Sequence, residues 1–280
     1  MEIKFAKMNP TENMTILVES PLPRERYGEI AAKLMAYGSL FAEQVGYIEK
    51  PASALSQSRL HMMGGEFCGN AAMSTAALIA FDNGVMGGQK TTISLEVSGA
   101  EGILCCEVCP CIDEEKTALV TVGMPPVTGI EKRIFQFEGD AFETTAVRTE
   151  GITHLLIDTE RDAQKPWRNI AECAIIPWNE EIKADALGIM LYKKNGTGYT
   201  MDPLVYVEGS KSLTWERGCG SGTAAMGAYL AWKSKSSVSE NIEQPGGSIK
   251  VNVDFSEKTF GKIAIQGKVR LAARGMAYIV

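Results

Sequence analysis

Two short stretches set a cysteine between a glycine-rich turn and a run of small, helix-forming residues: GGEFCGNAAMSTAALIA at 64–80 and ERGCGSGTAAMGAYLA at 216–231. Aligned on Cys68 and Cys219, they read C-G-N-A-A-M and C-G-S-G-T-A, and an apolar, alanine-rich helix is predicted after each. A helix start carries unpaired backbone N–H groups and the positive end of the dipole, which favour thiolate over thiol. The flanking glycines let a ligand come close to the backbone. Two such helix starts facing one point would hold a carboxylate, with the two thiols on opposite sides of the carbon that bears it. One sulfur can then take a proton while the other delivers one. Inversion at a stereocentre beside a carboxylate, meaning racemisation or epimerisation, is the chemistry this pair suits. A free cysteine is usually a small buried hydrophobe; the repetition in matched settings argues for more.

The energetic demand is large, because the α-hydrogen of an amino acid is a very weak acid. Turnover at about 10 per second leaves a barrier of roughly 16 kcal/mol. A well-placed backbone donor on the developing enediolate supplies roughly 3–4 kcal/mol. A lowered thiol pKa is expected to make the base available near neutrality, and exclusion of water strengthens each of these effects.

The elements that must position the cysteines are strand-rich. EIKFAKM, NMTILVE, QVGYIEK and RLHMM alternate as strands in the first quarter, and RERYGEIAAKLMAYG has helical spacing. A strand pair follows each glycine–cysteine helix: TTISLEVSG with GILCCEV after the first, GGSIKVNVDF with GKIAIQGKV after the second. DALGIMLYKK and MDPLVYVEG read as two more strands. The order of glycine turn, cysteine, buried helix and strand pair thus occurs twice at a half-chain period, which implies two similarly built halves. The acidic turn in CIDEEKTALV places a boundary near residue 116. The expected class is α+β, with two pseudo-symmetric strand-rich halves each wrapped around a central helix: 1–116 with a C-terminal strand 268–280 carrying Cys68, and 117–267 carrying Cys219.

Composition excludes several functions. The 280 residues are 45% hydrophobic and 22% charged, and a net charge of −6 leaves no electrostatic footprint for nucleic acid or an anionic membrane. No signal-peptide core opens the chain, and no apolar stretch approaches the roughly 18 residues that span a bilayer. Seven cysteines in a long chain point to free thiols in a reducing, cytoplasmic compartment. CCEVCPC at 105–111 brings four cysteines together, but zinc sites separate two C-x-x-C pairs by a long loop, and Cys105 and Cys106 should face opposite sides of a strand. GCGSGT lacks the G-K-[ST] of a phosphate-binding loop. His61 and His154 are isolated and read as structural or near-site residues. No metal is expected, and without a pyridoxal-binding signature no cofactor either.

CGNAA and CGSGTAA resemble the two cysteine motifs of the diaminopimelate-epimerase superfamily. FAKMNPTENMTILV is similar to that family's N-terminal segment, whose substrate-binding asparagine falls on Asn13, and AEQVGYIEKP to the segment whose substrate-contacting glutamine falls on Gln44. QPGGSIKV and IQGKVRLAARGMAYI resemble its closing strands, so the resemblance runs over essentially the whole chain. Within the superfamily, NMTILV, EQVGYIE, EFCGNAAMS, CGSGTA and QPGGSI look like segments of the histidine racemases of staphylopine-type metallophore synthesis. The resemblance implies a base/acid pair in Cys68 and Cys219. It also implies a head-group site of Asn13, Gln44, Gly69, Asn70, Gly220 and Ser221, Glu43 toward the side chain, and a homodimer.

The chain departs from diaminopimelate epimerases at the distal end. Ile152 in GITH replaces a substrate-gripping asparagine, and Met201 falls roughly where a second one stands. The epimerase Glu-Arg pair lies further upstream of its cysteine than Glu216–Arg217 does here, which leaves the roles of both residues open; Glu216 is counted among the substrate-binding residues. The leading expectation is a cofactor-independent racemase interconverting L- and D-histidine. The alternatives are diaminopimelate epimerase, a racemase of another single-headed amino acid, or a catalytically silent amino-acid-binding protein.

Overall fold

The computed structural model describes residues 1–196, 198–209 and 211–279. The chain divides into two compact units, Met1–Gly123 with Gln266–Val280, and Met124–Ile265. The first holds β1 (Glu2–Pro10), β2 (Thr15–Val18), α1 (Tyr27–Met35), β3 (Gln44–Glu49), β4 (Ser58–Met62), α2 (Gly69–Asp82), β5 (Thr91–Val97), β6 (Leu104–Pro110) and β7 (Thr117–Gly123). The second holds β8 (Gly129–Phe137), β9 (Asp140–Thr149), β10 (Ile152–Asp158), α3 (Trp167–Ile182), β11 (Ala186–Asn195), β12 (Gly198–Val207), β13 (Ser212–Trp215), α4 (Gly220–Ser234), β14 (Val238–Gln244) and β15 (Gly247–Ser256). The last strand, β16 (Thr259–Tyr278), begins in the second unit and ends in the first.

In the first unit the strands follow one another in order from β1 to β7, and β16 pairs with both β7 and β1, so the sheet closes on itself like a barrel. The β1–β16 ladder runs from Glu2 opposite Tyr278 to Pro10 opposite Val269, with a register shift at Lys7/Met8. This unit extends to Gly123 rather than to residue 116, because β7 is hydrogen-bonded along β6 from Pro110–Ala118 to Glu107–Thr121. Every residue of α2 from Gly69 to Leu78 is buried, and the helix packs against all of β1–β7. Small side chains allow this: an alanine-rich helix lets surrounding strands approach on every side. On the other side of β1–β3, α1 turns Ile30, Ala31 and Leu34 into a second apolar cluster with Ile3, Val18 and Tyr47.

In the second unit the strand order is β8-β9-β10-β11-β12-β14-β15-β16, with β13 paired to β12. α4 packs on β9–β11, β14 and β15 and is buried from Gly222 to Ala231. α3 has no counterpart among the segments expected to be helical. It sets Ala171, Ala174, Ile175 and Trp178 against Leu187, Ile189 and Leu191 of β11. Met190, between them on the strand, points the other way beneath α4. β11 therefore carries a helix on each face. Cys105 is exposed and Cys106 buried, as alternation along β6 requires.

Candidate functional site

Cys68 is the N-cap of α2. Its backbone is extended (φ −135°, ψ 111°), and its Sγ accepts a hydrogen bond from the N–H of Ala71 at 3.4 Å. The chain reaches this cap past the β5–β6 turn at very short range. A Cβ at Gly99, where φ is +68°, would lie 2.3 Å from the nitrogen of Phe67, so only glycine fits. The half-buried Cys68 thiol donates to Gln44 Oε1 at 2.9 Å. Gln44 opens β3, and its Nε2 donates to Asn13 Oδ1 at 2.7 Å and to Thr15 Oγ1 at 2.8 Å.

Asn13 is buried and follows two residues held in the left-handed region, Thr11 (φ 53°) and Glu12 (φ 57°). Two adjacent non-glycine residues there store strain, which surrounding structure must offset. The turn is locked by Glu12 N donating to Asn9 Oδ1 at 2.7 Å and Asn13 N donating to Pro10 O at 3.1 Å. Glu43 is half-buried just before β3, with its N–H donating to Met14 O. Gly69 and Asn70 are the buried first residues of α2. The structure thus brings Asn13, Gln44 and Cys68 into one hydrogen-bonded cluster inside the first unit.

Cys219 repeats the cap at α4, with φ −100° and ψ 107°, and its Sγ accepts from the N–H of Gly222 at 3.3 Å. Its surroundings are different. Gln244 Oε1 accepts from the Cys219 N–H at 2.7 Å, Gln244 Nε2 donates to Thr223 Oγ1 at 2.8 Å, and that hydroxyl donates to the Cys219 carbonyl at 2.6 Å. The ring of bonds grips the cysteine's backbone at both its N–H and its C=O. Ser221 Oγ lies 3.5 Å from the sulfur and 3.2 Å from Nε2 of His154. His154 is fully buried, and burial pulls its pKa down to about 4, so the imidazole is neutral.

The Cys219 thiol runs against the expectation of a lowered pKa. Burial pushes it well above the ordinary thiol value, and the Glu216 carboxylate, which hydrogen-bonds it, pushes in the same direction. The bonds from Ser221 and the Gly222 N–H lower it and are outweighed. Removing a sulfur anion from water costs more than the helix start returns. Arg217, whose role was open, is exposed and donates to Pro245 O at 3.2 Å, while the Gly246 N–H donates back to Arg217 O.

Gln244, Thr223, Thr15 and Met190 are site neighbours that motif reading does not single out. Gln244, Thr223 and Thr15 stand in QPGG, CGSGTAA and NMTILV, but nothing in those stretches marks them as neighbours of a cysteine. The second unit also contains a cavity of about 720 Å³, lined by the start of α3 and by Lys193, Met201, Asp202 and Gln244. Cys219 does not line it. Met201 is buried and Ile152 half-buried at the start of β10. No helix among the described residues is long and apolar enough to cross a membrane.

Comparison with known proteins bears on the family and the fold. The family model for the histidine racemase CntK N-terminal domain matches residues 2–278. A histidine racemase of Fusobacterium nucleatum subsp. nucleatum is 31% identical over 278 residues, covering 99% of this chain and 97% of that one. A histidine racemase of Staphylococcus aureus is 29% identical over 279 residues, covering 99% and 98%. Among solved structures, a probable proline racemase from Agrobacterium radiobacter superposes with a TM-score of 0.71 at 12% identity, covering 99% of this chain and 93% of that one. A hydroxyproline epimerase from Agrobacterium vitis gives 0.71 at 12% identity, covering 99% and 92%. These likenesses place the strand-rich, barrel-like fold among racemase and epimerase folds. With a family model spanning nearly its whole length, the chain belongs to the histidine racemase family and is an isomerase.

Proposed function

We propose that the protein interconverts L- and D-histidine without pyridoxal phosphate, using Cys68 and Cys219 as the acid/base pair. The observation that carries this reading is the duplicated cap: each sulfur accepts from the N–H three residues into its helix, 3.4 Å from Ala71 N and 3.3 Å from Gly222 N. One thiol serves each face of the substrate's α-carbon. The N–H groups at the helix starts, from Gly69 and Asn70 and from Gly220 and Ser221, receive the carboxylate, whose charge grows as the α-proton leaves. Asn13 shapes the head-group pocket. At rest burial and the Glu216 carboxylate keep the proton on Cys219. Glu216, which accepts that thiol's hydrogen bond, is the group proposed to take the proton once substrate is bound.

Glu43 is assigned to the imidazole ring N–H, a charge-assisted bond worth about 1.5–3 kcal/mol. The apolar Ile152 and Met201 disfavour a substrate with a second charged head group, which would be buried there without partners. In the same reading each pseudo-symmetric half is a sheet wrapped on its central helix, the enzyme acts as a homodimer, and seven free cysteines fit a cytoplasmic protein.

The test is proton NMR of L-histidine in D2O with the enzyme, followed by chiral chromatography. Loss of the α-proton signal with accumulation of D-histidine is expected. A protein that leaves L-histidine untouched but epimerises LL-diaminopimelate would overturn the assignment.

A further inference from the structure

In the first unit, one chain of hydrogen bonds has a direction that can be settled atom by atom. The hydroxyl proton of Thr15 is engaged, because Oγ1 donates to the Asn13 carbonyl at 3.2 Å. Toward Gln44 this oxygen can only accept, so the Gln44 atom 2.8 Å away is the amide nitrogen. The same nitrogen donates to Asn13 Oδ1 at 2.7 Å, which uses both of its hydrogens. The amide oxygen must then face the other way, and it lies 2.9 Å from Cys68 Sγ. A carbonyl oxygen accepts and never donates, so the proton between them belongs to sulfur.

We infer that Gln44 is a positioning residue that holds Cys68 as the protonated thiol at rest, oriented for that task by Thr15 and Asn13, so that Cys68 starts the cycle as the acid. The resemblance to other epimerases implied only a substrate contact for this glutamine. A thiolate at Cys68 would face a carbonyl oxygen across a hydrogen-bond distance, which raises the proton affinity of the sulfur, so that after its proton has gone to the substrate carbon it takes a replacement from water. The Ala71 N–H, a longer contact of 3.4 Å, acts in the opposite sense and favours the anion. An amide suits a reset device because it has no proton of its own to exchange near neutrality. The inference rests on the proposed acid/base role of Cys68, but the state of its proton can be read without substrate.

The experiment measures iodoacetamide alkylation of Cys68 against pH in the full-length protein carrying Cys219→Ala. The Cys68 peptide is followed by mass spectrometry, which separates it from the exposed Cys105 and Cys173. Glu12, Glu43 and Glu66, the carboxylates on the neighbouring segments, are unchanged in every variant and cancel from the comparison. Gln44→Ala replaces the fixed acceptor with water, and the apparent pKa of Cys68 should fall by about one unit, roughly a tenfold gain in thiolate at neutral pH. Gln44→Glu keeps the acceptor and adds charge, so the pKa should rise by a similar amount. Thr15→Val frees the amide to turn its nitrogen toward sulfur and should lower the pKa by a smaller step.

A residue that merely packs against the cysteine would move both Gln44 variants in the same direction, and that result, or no movement, overturns the inference. Should Gln44→Ala fail to fold, the Glu and Val variants still decide it through their opposite signs. Opposite shifts in an enzyme inactive on histidine would leave this inference standing and remove the substrate assignment. Histidine racemisation without the shifts would do the reverse.

Discussion

Cys68 and Cys219 open helices of 14 and 15 residues with the same extended cap and the same sulfur-to-backbone bond, yet a different glutamine attends each. In the first unit Gln44 reaches the sulfur and leaves the backbone alone. In the second, Gln244 and Thr223 grip the backbone N–H and carbonyl and leave the sulfur to Ser221 and Glu216. The exposures differ as well: Cys68 is half-buried and Cys219 is 2% exposed. An amide acceptor cannot take a proton from its cysteine, whereas a carboxylate can. The duplicated motif therefore supplies two equal positions, and the neighbours set them apart: an amide oxygen faces one sulfur, and a carboxylate attends the other, more deeply buried one.

The strongest way to break this comparison is to remove each sulfur in turn. Cys68→Ala and Cys219→Ala should each slow histidine racemisation by about 10³-fold or more, the range for losing a general acid or base. The double variant should be little worse than either single one, because residues that act as a unit are not additive. Chiral chromatography of timed reactions checks this, and near-normal turnover in either single variant removes the two-thiol mechanism.

The next effect sharpens the contrast in packing. Three residues after Cys68 stands Ala71, and three after Cys219 stands Gly222. A Cβ at Gly222 would lie 2.3 Å from Met190 Sδ and 3.1 Å from Cys219 Sγ, and Met190 is wholly buried. Gly222→Ala should therefore cost about 1–3 kcal/mol by overpacking and displace the sulfur, reducing activity as well. Adding Met190→Ala should return part of both losses. Denaturant unfolding and steady-state rates of the two variants test it, and a fully stable, fully active Gly222→Ala protein would show that the cap tolerates any small residue.

Much of this was legible from residue order alone. The strands that alternate plainly and both helix starts appear where glycine, cysteine and small residues placed them. β1 covers EIKFAKM, and Cys68 and Cys219 are the caps themselves. α3 was not legible: it lacks a side-chain cap and carries Pro177 inside, and its apolar face is set by Ala171, Ala174, Ile175 and Trp178 packing on β11. At the site, the caps could be read because they are local, and Gln244 and Thr223 could not, because a β-strand brings them together across 21 residues. The sign of the Cys219 pKa shift was misjudged for a related reason. A helix start is visible in sequence, but the burial that outweighs it is a property of the folded unit.

A pH test distinguishes the second unit from the first through His154. Its folded pKa of about 4 lies below the unfolded value of about 6.5. The unfolded chain therefore binds a proton in a range where the native protein stays neutral, and native stability falls as pH drops through that window. The loss should reach about 2 kcal/mol by pH 5, at 1.36 kcal/mol per unit. This is above the range where the lowered carboxylates Glu19 and Glu49 begin to contribute. Urea unfolding at pH 7 and pH 5 should show the loss in wild type and not in His154→Gln, and an equal loss in both would place its origin elsewhere.

The smallest effect concerns the ring that grips Cys219. Thr223 Oγ1 donates to the Cys219 carbonyl and accepts from Gln244 Nε2, so Thr223→Val, close in shape, removes both bonds at once. A buried amide hydrogen left without an acceptor costs about 1–3 kcal/mol. Gln244 is 8% exposed and near the surface, so the lower end applies. A cost of about 1 kcal/mol corresponds to roughly 2–4 °C in melting temperature for a unit of this size. The first unit offers the internal control, because the position matching Thr223 is Ala72, which has no hydroxyl, and the Cys68 carbonyl accepts from the Ala72 N–H. If the ring fixes the backbone that carries the second sulfur, Thr223→Val should also lower kcat severalfold while leaving KM nearly unchanged. Cys68 alkylation in the same protein should stay as in wild type. Differential scanning calorimetry, steady-state kinetics and the Cys68 peptide assay together test this, and an unchanged melting temperature with unchanged kcat would show that the Cys219 backbone holds its place through α4 alone.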